Sequence, residues 1–185
     1  MLVFLLKYSY LSGSKAYKAG GEFGFETTTL DMEGNITKRA DFDHISEHDI
    51  VDVLDKFRGD IQQIPPIFSA IRQGGTKLYE KARAGTTVDN VEIEPRAVKV
   101  YNIEVLPNPD LPKFEIEVEC GGGTYIRSLI RDIGYELNSV ATTTLLERTK
   151  QGQFTLKDCL MKDDWNPDNI YEAIDRFNAE REENG

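Results

Sequence analysis

Residues 118–132, VECGGGTYIRSLIRD, set an aromatic and an arginine just behind three consecutive glycines. Glycines strip side chains from a turn, so a bulky backbone can come close to it. A ring beside a guanidinium can stack on a nucleobase and keep a fixed positive charge next to it. A phosphate loop is the rival use, and it fails on spacing. A G-x-G-x-x-G pattern starting at Gly121 requires glycine where Ile126 stands, and no G-K-[ST] follows. Taken alone, the stretch reads as a plain tight turn with Tyr125 packed and Arg127 solvated.

The elements that must position these residues follow from the surrounding pattern. RAVKVYNIEVL and FEIEVEC alternate as strands, with PNPDLP as the turn region between them. The second strand runs into the glycines, which feed a helix, IRSLIRDIGYELN, with Ile126, Leu129, Ile130 and Ile133 on one side. Upstream, KAYKAGGEFGFE and TTTLD read as extended structure closed by a turn at DMEGN. SEHDIVDVLDKFRG is a helix: Ser46 caps it with Asp49 three residues on, Ile50, Val53, Leu54 and Phe57 share a face, and Gly59 stops it. Pro65 and Pro66 forbid a helix and impose a stiff, extended segment, after which TKLYEKARAG is a short helix ending at Gly85. The three threonines 142–144 read as a loop leading to LLERTKQGQF, and an acidic helix, DNIYEAIDRFNAERE, closes the chain. Strands and helices alternate without a βαβ rhythm. That predicts an α+β fold, with a mixed, largely antiparallel sheet and flanking helices, over residues 1–157, and an acidic helical tail over 158–185.

Composition narrows the function classes. With 185 residues, 39% hydrophobic and 29% charged, the chain suits one soluble domain with an appendage. Cys120 and Cys159 supply no disulfide framework, and His44 and His48 form no zinc pattern; a reducing, intracellular compartment is the expectation. The apolar opening MLVFLLKYSYL is too short to span a bilayer and lacks a basic leader and a cleavage site, so it is read as a core element. A net charge of −10 speaks against a polyanionic partner until its distribution is considered. Residues 158–185 hold nine acidic and three basic residues, whereas in residues 70–85 Arg72, Lys77, Lys81 and Arg83 face Glu80 alone. Such a local field can dock a polyanion, or it can be a solvated face.

Four stretches, in order, resemble the motifs of the TruB-type tRNA pseudouridine synthases. CGGGTYIRSLIRDIG is similar to C-x-x-G-x-Y-[IV]-R-x-[LI], and KAYKAGGEFGFETTTLDMEG to K-x-Y followed by L-G-x-x-T-D-T-x-D-x-x-G. IQQIPPIFSAIRQGGTKLYEKARAG resembles Q-x-P-P-x-x-S-A-x-K-x-x-G-x-x-x-Y-x-x-A-R-x-G, and ATTTLLERTKQGQF resembles A-x-x-x-x-L-x-R-[TL]-x-x-G-x-F. Together they cover roughly residues 13 to 156.

The resemblance implies isomerisation of the T-loop uridine of tRNA, without metal or cofactor, by an enzyme that flips its target base out of a folded loop. It implies that Tyr17 stacks on the flipped base and stands where it could move a proton. Tyr125 would pack or hydrogen-bond in the same pocket, and Leu146 would form an apolar wall while being a core-type residue in any case. Arg127 would orient and ionise a catalytic aspartate, which a guanidinium fork suits. The segment from Pro65 to Arg83 would support the pocket, with Arg72, Lys77 and Arg83 on the RNA. Partners would be tRNA and other RNAs with T-loop-like hairpins, with no membrane and a monomer by default. The family's aspartate lies in G-H-x-G-T-L-D-P, upstream of the K-x-Y strand, and the chain has no such stretch. Asp31 is rejected as that nucleophile: it falls in the later turn motif, followed by Met32 rather than proline. Thr28, where the family usually has aspartate, and Thr142, often histidine, are further departures. The resemblance thus implies a member lacking its N-terminal portion and a PUA-type RNA-binding domain, and inactive by itself. The alternative is a non-catalytic RNA-binding or tRNA-folding module.

Overall fold

The structure, a computed structural model, describes residues 13–86 and 90–183; the apolar opening segment lies outside them. In chain order the strands are β1 (Lys15–Phe23), β2 (Phe25–Thr27), β3 (Ile36–Arg39), β4 (Gly59–Gln63), β5 (Arg72–Gln73), β6 (Thr76–Lys77), β7 (Arg96–Val105), β8 (Lys113–Cys120), β9 (Ala141–Gln151) and β10 (Phe154–Thr155). The helices are α1 (Glu47–Leu54), α2 (Leu78–Arg83), α3 (Ile126–Glu136) and α4 (Pro167–Glu183). Six strands form one sheet in the order β10-β9-β1-β8-β7-β4, and each neighbouring pair is antiparallel.

Strict alternation decides which side of this sheet is buried. Along β8, Phe114, Ile116, Val118 and Cys120 are buried, while Glu115, Glu117 and Glu119 point the other way. Helices α1 and α3 cover the apolar side through Ile50, Val53 and Leu54 and through Ile126, Leu129, Ile130 and Ile133. Phe23 and Phe114 stack at 4.5 Å between ring centroids in that layer. The opposite side carries ion pairs, Lys18 with Glu115 and Lys150 with Glu119, each at 2.9 Å. At the start of α1, Ser46 and Asp49 form the reciprocal cap that the sequence predicts.

Several expectations are corrected. Residues 28–31 are a tight turn rather than extended structure: Leu30 has φ 63°, and the Leu30 amide donates to the Thr27 carbonyl. Gly34 is required there, since a Cβ would lie 2.5 Å from the Thr29 hydroxyl. The three threonines 142–144 are strand, not loop; Thr142 and Thr143 are buried, paired with Glu22 and Gly21 of β1. β-branched residues suit that half-buried pleat. Leu146 is not a core residue, being 47% exposed, because β9 runs on beyond the apolar layer. The acidic helix is present as α4, and a Phe154–Phe177 ring contact at 4.6 Å joins it to β10.

Gly134 lets α3 lie against the start of β9, since a Cβ there would sit 2.7 Å from the Ala141 backbone nitrogen. Alanine would gain at most about 1 kcal/mol of helix propensity, against an overpacking cost of about 1–3 kcal/mol, occasionally more. Gly134→Ala is therefore expected to lower stability by about 1–2 kcal/mol, read as a lower urea midpoint; an unchanged or higher midpoint would contradict this packing.

Candidate active site

Arg127 lies in the first turn of α3, and its guanidinium is held by three groups from two segments. Nη1 donates to the Thr29 carbonyl at 2.8 Å and to the Asp31 carboxylate at 2.6 Å, while Nη2 donates to the Phe68 carbonyl at 3.1 Å. The two charged side chains are only 23% and 25% exposed, so the pair is poorly screened. The other Asp31 oxygen accepts from the Thr29 hydroxyl at 2.5 Å and from the Glu33 amide at 3.1 Å. Burial works against ionising Asp31, but these hydrogen bonds and the Arg127 charge outweigh it and hold the carboxyl below its ordinary value. Asp31, set aside in the sequence reading as a nucleophile, is thus the carboxylate partner of Arg127.

Tyr125 is fixed through its backbone. Gln63, at the end of β4 and 1% exposed, accepts from the Tyr125 amide at 2.8 Å and donates to the Tyr125 carbonyl at 3.1 Å. One buried side-chain amide thereby engages both backbone polar groups of a residue at the entrance to α3. The sequence reading did not single out Gln63, although it opens the Q-x-P-P motif. The glycine turn before Tyr125 is closed by the Gly121 amide on the Lys99 carbonyl and by the Thr124 hydroxyl on the Gly121 carbonyl. Gly123 needs its φ of 91°, whereas a Cβ on Gly121 would make only ordinary contact, 3.6 Å from Lys99. Conformation therefore explains one glycine, and Gly122 and Gly123 leave bare backbone exposed.

The β1–β9 pairing sets Tyr17. Its register slips between Ala16 and Tyr17 and again between Gly20 and Gly21, leaving Thr149 and Thr144 as the extra residues. At one end Phe23 and Gly21 pair with Ala141 and Thr143 on the helix-covered side. Simple alternation would next bring Leu145, Glu147 and Thr149 to that side. The slip at Thr144 exchanges them for Leu146, opposite Ala19, and Arg148, opposite Tyr17. Tyr17, Leu146 and Arg148 consequently share the side of the sheet that carries α3, and Glu147 goes to the other side opposite Lys18. Tyr17 packs against the core, with the guanidinium of its cross-strand partner Arg148 acting on its hydroxyl. Burial, with the Cys120 thiol adding to it, raises the phenol above its ordinary value, and Arg148 pulls it the other way. Among the described residues, no hydrogen bond or ion pair joins the side chains of Tyr17 or Tyr125 to Arg127.

The basic segment forms a separate cluster. Arg72 and Lys77 are opposite partners in the β5–β6 hairpin, and Lys77 and Arg83 both lie over the Tyr79 ring, at 5.3 and 5.4 Å. Among the described residues, no ion pair includes Arg72, Lys77, Lys81 or Arg83. No group of three or more His, Cys, Asp or Glu among them could hold a metal, and no helix is long and apolar enough to cross a membrane.

The antiparallel sheet thus presents a tyrosine on one strand, and an arginine–carboxylate pair stands at the start of the helix that follows β8. The family model described as TruB family pseudouridylate synthase (N terminal domain) matches residues 5–126, and the chain belongs to that family. It is 45% identical over 172 residues to pseudouridylate synthase TRUB1 of Homo sapiens, covering 92% of this chain and 48% of the relative. It is 44% identical over 160 residues to tRNA pseudouridine synthase B of Clostridium tetani, covering 86% and 54%. The chain thus spans about half the length of these curated relatives. Among solved structures, one described as a Cbf5-Nop10-Gar1 complex matches with a TM-score of 0.59 and 27% identity, over 89% of this chain and 41% of the other.

The depressed Asp31 carboxyl carries a pH signature. Its folded value lies below its unfolded one, so its contribution is complete above the ordinary 3.8 and is lost as pH falls through the folded value. Asp31→Asn leaves Arg127 without its charge partner and is expected to cost about 1–3 kcal/mol at neutral pH. The cost should shrink as pH falls through that acid window, when urea midpoints of the two proteins are compared. A constant difference from neutral to strongly acidic pH would rule out an ionised Asp31.

Proposed function

We propose that the chain forms the uridine-recognising part of a TruB-type tRNA pseudouridine synthase, with the T-loop uridine of tRNA as its target. The observation that carries this reading is the Arg127–Asp31 pair at the start of α3, on the side of the sheet where the β9 slip at Thr144 turns Leu146 and Arg148 toward Tyr17. The names of the relatives, including tRNA pseudouridine synthase B, support the same substrate class.

The reaction breaks the bond between ribose and the uracil nitrogen, turns the base over and rejoins it through carbon. Tyr17 offers a ring on which the extruded base can stack, Leu146 an exposed apolar wall, and Tyr125 a second ring whose backbone Gln63 holds still. The bare Gly122–Gly123 backbone admits the polynucleotide, and Arg72, Lys77 and Arg83 meet its phosphates. Arg127 supplies the fixed cation with which a carboxylate acting at the sugar pairs. Asp31 serves that arginine rather than attacking: both its oxygens are engaged, and a carboxyl held below its ordinary value is a poor nucleophile.

A second reading, RNA binding without catalysis, is favoured by one feature. Among the described residues no carboxylate other than Asp31 is ion-paired to Arg127. Both readings require RNA binding and expect no turnover by the chain alone, so turnover is the outcome that would exclude binding without catalysis. A T-loop hairpin is expected to bind with strong salt dependence, and Ala at Arg72, Lys77 or Arg83 should each reduce the slope of log Kd against log salt by about 1. No measurable binding at low salt would remove both readings. The chain by itself is expected to release no tritium from tRNA labelled at carbon 5 of uridine. Sustained release would overturn the supporting role given to Asp31 and establish the synthase reading.

A further inference from the structure

We infer that Arg148 is a positioning residue for Tyr17, holding the phenol hydroxyl so that the ring presents a fixed face to the base. This rests on the role given to Tyr17 above. The support is the strand register. Two slips within nine residues of β1 are unusual for paired strands, and they bracket the segment of β9 from Leu145 to Arg148. The slip at Thr144 swaps which residues face Tyr17, and the slip at Thr149 ends that register just beyond it. With that slip at Thr144, Arg148 is the cross-strand partner of Tyr17, and Glu147 lies on the opposite side against Lys18. Simple alternation would instead turn Glu147 toward the side of the phenol, where a carboxylate could only accept the hydroxyl proton. Gly20 makes the slip possible, because a Cβ there would lie 2.9 Å from the Thr144 hydroxyl and 3.1 Å from Leu145 Cβ.

The chemistry of the pairing is specific. A guanidinium has only donors, so a phenol oxygen held by its cross-strand partner Arg148 acts as acceptor, and its own hydrogen is left free to point away. A tyrosine held in this way keeps one ring rotamer, which a stacking surface needs, at little entropic cost when the base arrives. Arg148 itself is solvent-exposed, and among the described residues no carboxylate forms an ion pair with it. Its guanidinium is therefore not diverted from Tyr17 by an acid. The titratable groups acting on the phenol are Arg148 from β9 and Cys120 from β8.

The alternative for an exposed arginine beside an RNA site is a phosphate contact, and the test separates the two. With meta-fluorotyrosine at position 17, fluorine NMR follows the ionisation of that phenol alone. Arg148→Met is expected to move the ionisation to higher pH, Arg148→Lys to place it between the two, and Glu147→Gln to leave it unchanged. In parallel, affinity is measured for a T-loop hairpin with uridine at the target and for the same hairpin with an abasic site. Arg148→Met should cut the preference for uridine by about fivefold, the worth of one hydrogen bond, without changing the salt slope. An unmoved phenol titration in Arg148→Met overturns the proposal. So does a salt slope reduced by about 1 with the uridine preference intact, which makes Arg148 a phosphate ligand. If Tyr17→Leu keeps the uridine preference while Arg148→Met still moves the phenol, the role of Tyr17 fails and the pairing stands.

Discussion

A guanidinium in a half-buried position must be answered on every side, and the Arg127 guanidinium is answered by two parts of the chain distant from it in sequence. The turn after β2 gives a carboxylate and a carbonyl, the proline segment gives the Phe68 carbonyl, and α3 gives the arginine itself. Leaving any of these groups unpaired would cost more than the net worth of the bond, because a partly desolvated charge has no water to turn to. That asymmetry makes the arrangement a lock. It fixes where the proline segment runs, how the turn closes, and how α3 enters the core.

Neighbouring features take their shape from this lock. Pro65 and Pro66 carry the chain from β4 to Phe68 without helix, and Gln63 just before them clamps the peptide of Tyr125, two residues from the arginine. The Leu30 conformation at positive φ and the absence of a side chain at Gly34 let Thr29 reach the second Asp31 oxygen. The bridge between Asp31 and Thr143 then ties the same turn to β9, the strand whose slip at Thr144 arranges Leu146 and Arg148. Rigidity at the arginine and aim at the tyrosine are thus linked through one strand.

Charge is distributed in keeping with this division. The net −10 resides largely in the stretch that ends in α4, while the β5–β6 hairpin and α2 gather cations around Tyr79. Cations above a ring keep their charge available to solvent and to a polyanion, which a salt bridge would have neutralised. A total charge says little about which face meets which partner.

Much of the fold was legible in the residues. Period-two alternation in FEIEVEC and RAVKVYNIEVL, the Ser46–Asp49 cap and the apolar side of α3 are local signals, and local sterics and hydrogen bonding act the same way in any context. The glycine turn, Tyr125 and Arg127 also stood out by type and spacing. What the residues could not disclose depends on partners far along the chain. That Asp31 answers Arg127 across 96 positions, that Gln63 clamps Tyr125 across 62, and that threonines 142–144 are strand rather than loop are consequences of packing. The meeting of Arg148 with Tyr17 follows from a slip of register at Thr144. A slip of one residue reverses every side chain beyond it, and no local preference records where it falls.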